Sequence, residues 1–274
     1  MLSGIYVPLI TPFAASGEVA FDALEKLAAS ALDQGAAGLV ALGTTGEPST
    51  LTPAERREVV TICRHVTASY GRQLIVGDLE LTEGATAALV TVPAFVRPGE
   101  RGVIAYFEQL AERTPVPLVI YHIPYRTGQA LSAATLRRLG EHPMIAGVKY
   151  ATGAVDQDAV ALLGDLPPDF SVLTGDDAYL SPMLALGASG GILASAHLHT
   201  ASFVSMAASW DRALGHRLAA MSALLFAEPN PTVIKGVLHA HGLIPTPDVR
   251  LPLVPATAES VARALDSEHW IGAR

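Results

Sequence analysis

Cysteine is almost missing from this chain of 274 residues: Cys63 stands alone, so no disulfide can close within it. Charge is also scarce. Only 16% of the residues are charged, half are hydrophobic and the mean hydropathy is +0.36. That balance excludes a disordered chain and favours many elements buried on both faces. No basic stripe is present, and a net charge of −8 with a pI near 5.5 excludes a nucleic-acid binder. A secretory leader needs a basic region before an apolar core, whereas this chain opens on the strand-like Gly4-Ile-Tyr-Val-Pro-Leu-Ile10, so a cytoplasmic location is expected. Between residues 178 and 210 charge vanishes altogether, over a length that would span a bilayer. Pro182, Gly187, Gly190, Gly191, His197 and His199 cut that stretch into helix-length and strand-length pieces, and no membrane span is expected.

Against this apolar background one residue stands out. Lys149 lies in Met144-Ile-Ala-Gly-Val-Lys-Tyr-Ala-Thr152, a run of small and β-branched residues bounded by Pro143 and Gly153 that reads as a buried parallel strand. Lysine rarely occupies such a position unless something uses it. Burial disfavours the ammonium form, and a neutral amine attacks ketones and aldehydes to form a Schiff base. The alternative is a lysine whose stem lies on apolar surface while its head reaches water.

Strand-like segments recur at residues 5–10, 38–42, 74–77, 88–92, 118–123, 145–150, 171–174 and 191–195. Most alternate with amphipathic helical patterns. Residues 21–34, for example, place Leu24, Leu27, Ala28, Ala31 and Leu32 on one face with Gly35 just past the end. After the second strand, Thr52 as N-cap, Pro53 and Glu55 spell a capping box. Alternation of this kind means parallel βαβ units, and eight of them predict an α/β fold of the TIM (β/α)8 type. The barrel is expected over residues 1–210, followed by a helical appendix over 211–274 in which 202–227, 231–241 and 256–265 read as helices. Residues 78–87 are too few for a normal crossover helix, so the third barrel helix should be missing or truncated. A bare flank there would leave apolar surface for a second subunit to cover, which predicts a homo-oligomer.

In a barrel of this kind reactive groups gather at the C-terminal ends of the strands. The second strand runs into Gly43-Thr-Thr-Gly-Glu47, whose glycines let the backbone approach a ligand and whose amides suit a carboxylate. An ordinary turn has the same composition. The fifth ends in Tyr121-His-Ile-Pro-Tyr-Arg-Thr-Gly128, offering a phenol for proton transfer and, at Arg126, a bidentate carboxylate clamp. Asp176 and Asp177, after the seventh strand, read as caps of the next helix. Neither His197-x-His199 nor His239-x-His241 has a cysteine or carboxylate at a familiar ligand spacing, so no metal site is expected.

Taken together, Gly43-Thr-Thr-Gly-Glu47, Tyr121 to Gly128, Gly147-Val-Lys-Tyr-Ala-Thr-Gly153, Gly175-Asp-Asp177, Glu228-Pro-Asn-Pro231 and Arg250-Leu-Pro-Leu253 resemble the dihydrodipicolinate synthase/N-acetylneuraminate lyase family of pyruvate-dependent class I aldolases. The resemblance implies a Schiff base on Lys149, proton relay by Tyr121 and Thr44, and a pyruvate-carboxylate site that includes the Thr45 amide. It further implies that Arg126 holds the carboxylate of a second, aldehyde substrate, and that Gly43, Gly46 and Ile192 line the substrate site. No metal or organic cofactor is implied. The nearest match is the synthase branch, which joins pyruvate to aspartate semialdehyde. A 2-keto-3-deoxy sugar acid aldolase or dehydratase and a non-catalytic keto-acid binder are the alternatives. Phe95 stands where the family usually has a second relay tyrosine, and Tyr150, His122 and His197 replace its usual Glu, Asn and Asn.

Overall fold

A computed structural model describes residues 1–272; residues 273–274, the end of the expected helical appendix, lie outside the described residues. Eight strands, β1 (Gly4–Pro8), β2 (Gly38–Ala41), β3 (Gln73–Val76), β4 (Ala87–Thr91), β5 (Leu118–His122), β6 (Ile145–Tyr150), β7 (Ser171–Thr174) and β8 (Gly190–Ile192), close into a barrel in sequence order. Every neighbouring pair is parallel, and β8 returns to β1. The outer layer holds α1 (Phe21–Asp33), α2 (Pro53–Ser69), α3 (Gly99–Ala111), the single turn α4 (Pro124–Thr127), α5 (Ala133–Gly140), α6 (Gln157–Leu163), α7 (Leu180–Ala185) and α8 (Ala196–Ala208). Beyond it come α9 (Arg212–Leu225), α10 (Thr232–Ala240), α11 (Ala258–Ser267) and α12 (His269–Gly272).

Local sequence accounts for most boundaries. In α1 the five residues expected on the apolar face are all buried, and Gly35 takes a φ of +93° just beyond the helix. The capping box at the start of α2 forms: the Glu55 N–H donates to Thr52 Oγ1, and Glu55 Oε2 accepts from the Thr52 N–H. Residues 202–227, read from the sequence as one helix, are two. Asp211 adopts extended backbone and its carboxylate accepts from the Leu214 N–H at 2.6 Å, so α8 ends at Ala208 and α9 starts afresh. The charge-free stretch is divided among α7, β8 and α8, and among the described residues no helix is long and apolar enough to cross a membrane.

The third crossover is indeed reduced, to a 3-10 turn at Leu79–Leu81 between β3 and β4. The flank is not bare, however. Leu81 and Ala85 of the connecting loop pack against the hydrophobic core, and Leu74, Val76, Ala88 and Val90 of the two strands are buried. Arg56 and Arg64 of α2 reach across to Asp78 and Glu83 at 3.7 and 3.6 Å, and Gly84 allows the loop to pass close to the Arg64 side chain. The sequence argument that a second subunit must cover this flank therefore loses its premise.

Alternation along each strand sorts side chains between two cores. On β6, Val148 and Tyr150 pack outward against the helices, whereas Lys149 falls on the inner face. Tyr6, Val40, Ile75, Leu89, Val119, Tyr121, Leu173 and Ile192 fill the barrel interior beside it.

Candidate active site

Lys149 sits at the end of β6, between Tyr121 of β5 and Leu173 of β7 in the strand register. It is only 6% exposed, and its Nζ lies 4.2 Å from the centre of the Tyr121 ring. Room for the lysine stem comes from Gly175, just after β7. A Cβ there would lie 2.8 Å from Lys149 Cε and 2.9 Å from Ala151 Cβ, so any larger residue would push the amine from its position.

Lys149 opens into a cavity of about 170 Å3 whose lining includes Thr44, Thr45, Tyr121, Arg126 and Ile192. The structure thus brings six of the eight site positions expected from the sequence together. Gly43 lines a neighbouring cavity of about 470 Å3, which shares Thr44, Tyr121, Arg126 and Asn230 with the first. Gly46 reaches neither. It lies behind the loop, its N–H donating to the Gly43 carbonyl and its own carbonyl accepting from Thr11 Oγ1 at 2.7 Å. Thr44–Gly46 forms a 3-10 turn, and the amides of Thr44 and Thr45, the first two in it, have no acceptor within the turn.

Asp176 and Asp177 do not cap the helix that follows them, contrary to the sequence reading. Both line the lysine cavity instead. Asp176 Oδ2 accepts from the Gly153 N–H at 2.7 Å, tying the loop after β7 to the loop after β6, and burial raises its pKa. Asp177 is buried, its Oδ2 accepts from the Ser195 N–H at 2.5 Å, and desolvation pushes its carboxyl up to about 6. Their positions beside a strand end were the available signal, but nothing local distinguishes a carboxylate that bridges two loops from one that caps a helix.

The remaining wall comes from the C-terminal helices: Ser222 and Phe226 at the end of α9, and Asn230 in the α9–α10 loop, line the cavity. Asn230 Nδ2 donates to Thr45 Oγ1 at 2.9 Å. Beneath this contact lies a fully enclosed ion pair. Lys235 Nζ of α10, 0% exposed, donates to Glu47 Oε1 at 2.6 Å and to the Asp248 carbonyl at 2.8 Å, and stands 4.1 Å from the centre of the Phe13 ring. Glu47 Oε2 accepts from the Arg250 N–H at 2.9 Å. The Arg250 guanidinium in turn clamps Glu55 of α2 through both terminal nitrogens, at 2.9 and 2.7 Å. Desolvation lowers the Lys235 pKa to about 8, and the Arg250 clamp lowers that of Glu55 to about 2.

With this geometry in view, comparison with known proteins is direct. A profile of the dihydrodipicolinate synthetase family matches residues 1–266. The chain belongs to that family. Among its relatives is a protein of Clostridium acetobutylicum named 4-hydroxy-tetrahydrodipicolinate synthase 2, 37% identical over 93% of this chain and 95% of its own. Dihydrodipicolinate synthase from Thermotoga maritima superposes with a TM-score of 0.94 at 27% identity, over 99% of each chain. A chloride-inhibited dihydrodipicolinate synthase from Acinetobacter baumannii, solved in complex with pyruvate, gives a TM-score of 0.92 at 33% identity, again over 99% of each chain.

Three of the chain's departures from the synthetase family's usual residues fall outside the cavity. His122 points outward from β5, its Nε2 accepting from the Leu131 N–H and its ring edge-on to Tyr150. The Tyr150 hydroxyl donates to Asp156 at 2.7 Å. His197 accepts from the Ile10 N–H at Nε2 and meets the Ala194 carbonyl at Nδ1, so both ring nitrogens are taken by backbone. Burial lowers the pKa of His122 and of His197 to about 4, which keeps each neutral. Phe95 is 94% exposed and lines neither cavity, so a hydroxyl added there would meet solvent within this chain.

The enclosed ion pair should make Lys235→Met destabilising by about 3–5 kcal/mol, because Glu47 would be left charged and buried without its partner. Adding Glu47→Gln should recover much of that loss, as measured by urea unfolding in a double-mutant cycle. Strict additivity of the two changes would refute the coupling. The Glu55–Arg250 clamp generates a pH dependence of stability. With its pKa at about 2 in the folded state against 4.5 ordinarily, Glu55 contributes stability that is present above pH 4.5 and lost as pH falls through 2. Wild type should lose roughly 1.5–3 kcal/mol more than Glu55→Gln across that window. Parallel stability curves would exclude the clamp as a source of acid sensitivity.

Proposed function

We propose that the chain carries out the 4-hydroxy-tetrahydrodipicolinate synthase reaction, condensing pyruvate with aspartate semialdehyde through an imine on Lys149. The observation that carries this reading is a nearly enclosed lysine amine above the Tyr121 ring, in one cavity with Thr44, Thr45 and Arg126. The amine is confined beside the Tyr121 ring in a largely enclosed site, placed to act as the nucleophile toward a ketone carbon. Lys149 Nζ adds to the ketone carbon, the ketone oxygen leaves as water, and the iminium so formed accepts the electron pair released when a C3 proton departs. The resulting enamine carbon attacks the aldehyde, whose oxygen takes up a proton as the new carbon–carbon bond closes; the iminium this regenerates is displaced by the amino group of the second substrate, which frees the Lys149 amine and closes the product ring. Tyr121 and Thr44 are assigned the proton transfers. The Thr45 amide is assigned to the keto-acid carboxylate, Gly43 and Ile192 to shaping its site, and Arg126 to the carboxylate of the second substrate.

Self-association belongs to the same reading, on a different ground from the one first expected. Phe95 and Val96, 94% and 74% exposed, project side by side from the loop after β4 and present apolar surface to a second copy. Sedimentation equilibrium at micromolar concentration should give a dimer or larger assembly, and Phe95→Asp should weaken it. A native monomer would remove this part of the proposal.

Borohydride reduction in the presence of pyruvate should place a reduced pyruvyl adduct on Lys149, located by peptide mass spectrometry, and Lys149→Arg should abolish it. Labelling at another residue, or no adduct with any 2-keto acid, would overturn the imine mechanism.

A further inference from the structure

We propose that His122, Glu100 and Asp158 are positioning residues for Arg126, because together they close and anchor the loop that carries it. This rests on the role just assigned to Arg126. The Arg126 side chain is exposed, lines both cavities and, among the described residues, has no ion pair of its own. Where its guanidinium points is therefore decided by the backbone beneath it. That backbone is the loop of residues 123–130, between the end of β5 and the approach to α5. The loop is closed at its root, where the Leu131 N–H donates to Nε2 of His122, the last residue of β5, at 3.1 Å. The next two amides are taken from outside. The Ser132 N–H donates to Glu100 Oε1 of α3 at 2.5 Å, and the Ala133 N–H to Asp158 Oδ1 of α6 at 2.8 Å. Three consecutive amides thus end on side chains from three elements, at the start of α5, where a helix leaves its first N–H groups unpaired and carboxylates suit its dipole.

Bonds within the loop carry that anchoring to Arg126. Thr127 Oγ1 donates to the Ile123 carbonyl at 3.2 Å and accepts from the Gln129 N–H at 3.3 Å. On the outer side Gln129 Oε1 accepts from the Gly99 N–H at 2.9 Å, so α3 grips this segment at two points. The protonation states suit these bonds. Burial keeps His122 neutral, which leaves Nε2 as an acceptor. Burial also pushes the Glu100 carboxyl up, but bonds from Ser132 and Thr135 outweigh it and hold the group below its ordinary value. None of the three anchors lines either cavity, so each can act on a substrate only through the loop or the strand. A guanidinium grips a planar carboxylate through two parallel bonds only when its fork is aimed, and a misplacement of about 1 Å can cost ~10²-fold. His122 directly follows Tyr121, whereas Glu100 and Asp158 stand on α3 and α6, away from β5, and give the cleaner test.

The test is steady-state kinetics with pyruvate and aspartate semialdehyde on Glu100→Ala and Asp158→Ala. Glu100 is half-buried and Asp158 exposed, so neither truncation opens a cavity in the core. KM for the aldehyde should rise about 10-fold in Glu100→Ala, the size of one charge-assisted hydrogen bond, and by less in Asp158→Ala. KM for pyruvate and borohydride trapping on Lys149 should stay within about 2-fold of native, since neither uses Arg126. Glu100→Gln keeps an acceptor oxygen and should recover most of the loss. In an Arg126→Ala background, adding Glu100→Ala should change the aldehyde KM by less than about 2-fold, because the group it positions is already gone. Full multiplication of the two effects, or pyruvate trapping that falls as far as aldehyde use, would overturn this inference alone. So would an aldehyde KM unmoved in both alanine variants while Arg126→Ala raises it. If Arg126→Ala itself leaves the aldehyde KM unchanged, or no aldehyde is consumed although the imine forms, the reading of Arg126 fails and this inference falls with it.

Discussion

The ion pair between Glu47 and Lys235 joins residues 188 apart in the sequence, and the geometry of the cavity depends on it. Glu47 follows directly on the turn that carries Thr44 and Thr45 and holds a φ of +54°, a conformation that is uncommon for glutamate. Its carboxylate is committed on one oxygen to Lys235 and on the other to the Arg250 amide, so the turn is pinned from below by two separate pieces of the C-terminal region. Arg250 extends the linkage to the first turn of α2 through Glu55. Two buried charges are expensive to desolvate, and such a pair holds position only because its remaining bonds are also made. Here they are: the Asp248 carbonyl takes another Lys235 proton, and the Phe13 ring lies under both cations.

The barrel contributes a different kind of constraint. Strand alternation decides that Lys149 and Tyr121 face inward while their neighbours Tyr150 and His122 face the helices, and the parallel register sets the two inward residues side by side. Gly175 completes the arrangement by leaving space where a side chain would displace the amine. The floor of the cavity therefore follows from strand geometry, whereas the opposing wall follows from how the C-terminal helices are fastened.

That division explains what could be read from the sequence. Lys149, Tyr121, Arg126 and the turn after β2 announce themselves, since each stands at the end of a recognisable strand and strand ends share one rim of a barrel. The capping box before α2 and the shortened third crossover are likewise written in consecutive residues. Asp176 and Asp177 were misread because helix caps and loop bridges use the same residue type in the same place, and only the tertiary position of the Gly153 and Ser195 amides separates them. Lys235 carried no local mark. On α10 it is one of three polar residues, with Thr232 and His239, in an otherwise apolar helix, and its partner lies in a loop that the sequence does not connect to it. The flank at β3 and β4 was misjudged because crossover length was taken as a measure of coverage, while Leu81 and Ala85 achieve that coverage without a helix.

The chain has only three lysines, and the fold withdraws two of them, Lys149 and Lys235, from solvent for unrelated reasons. Lys26 on α1 is the one left exposed, so the cationic surface is almost entirely guanidinium. Side-chain amines are thus divided by compartment: one faces the cavity, one is sealed within an ion pair, and one meets water. A small electrophile diffusing from solution encounters few competing side-chain amines before it enters the cavity. Under the proposed imine chemistry, selectivity for a carbonyl substrate would be a property of the whole surface as well as of the site.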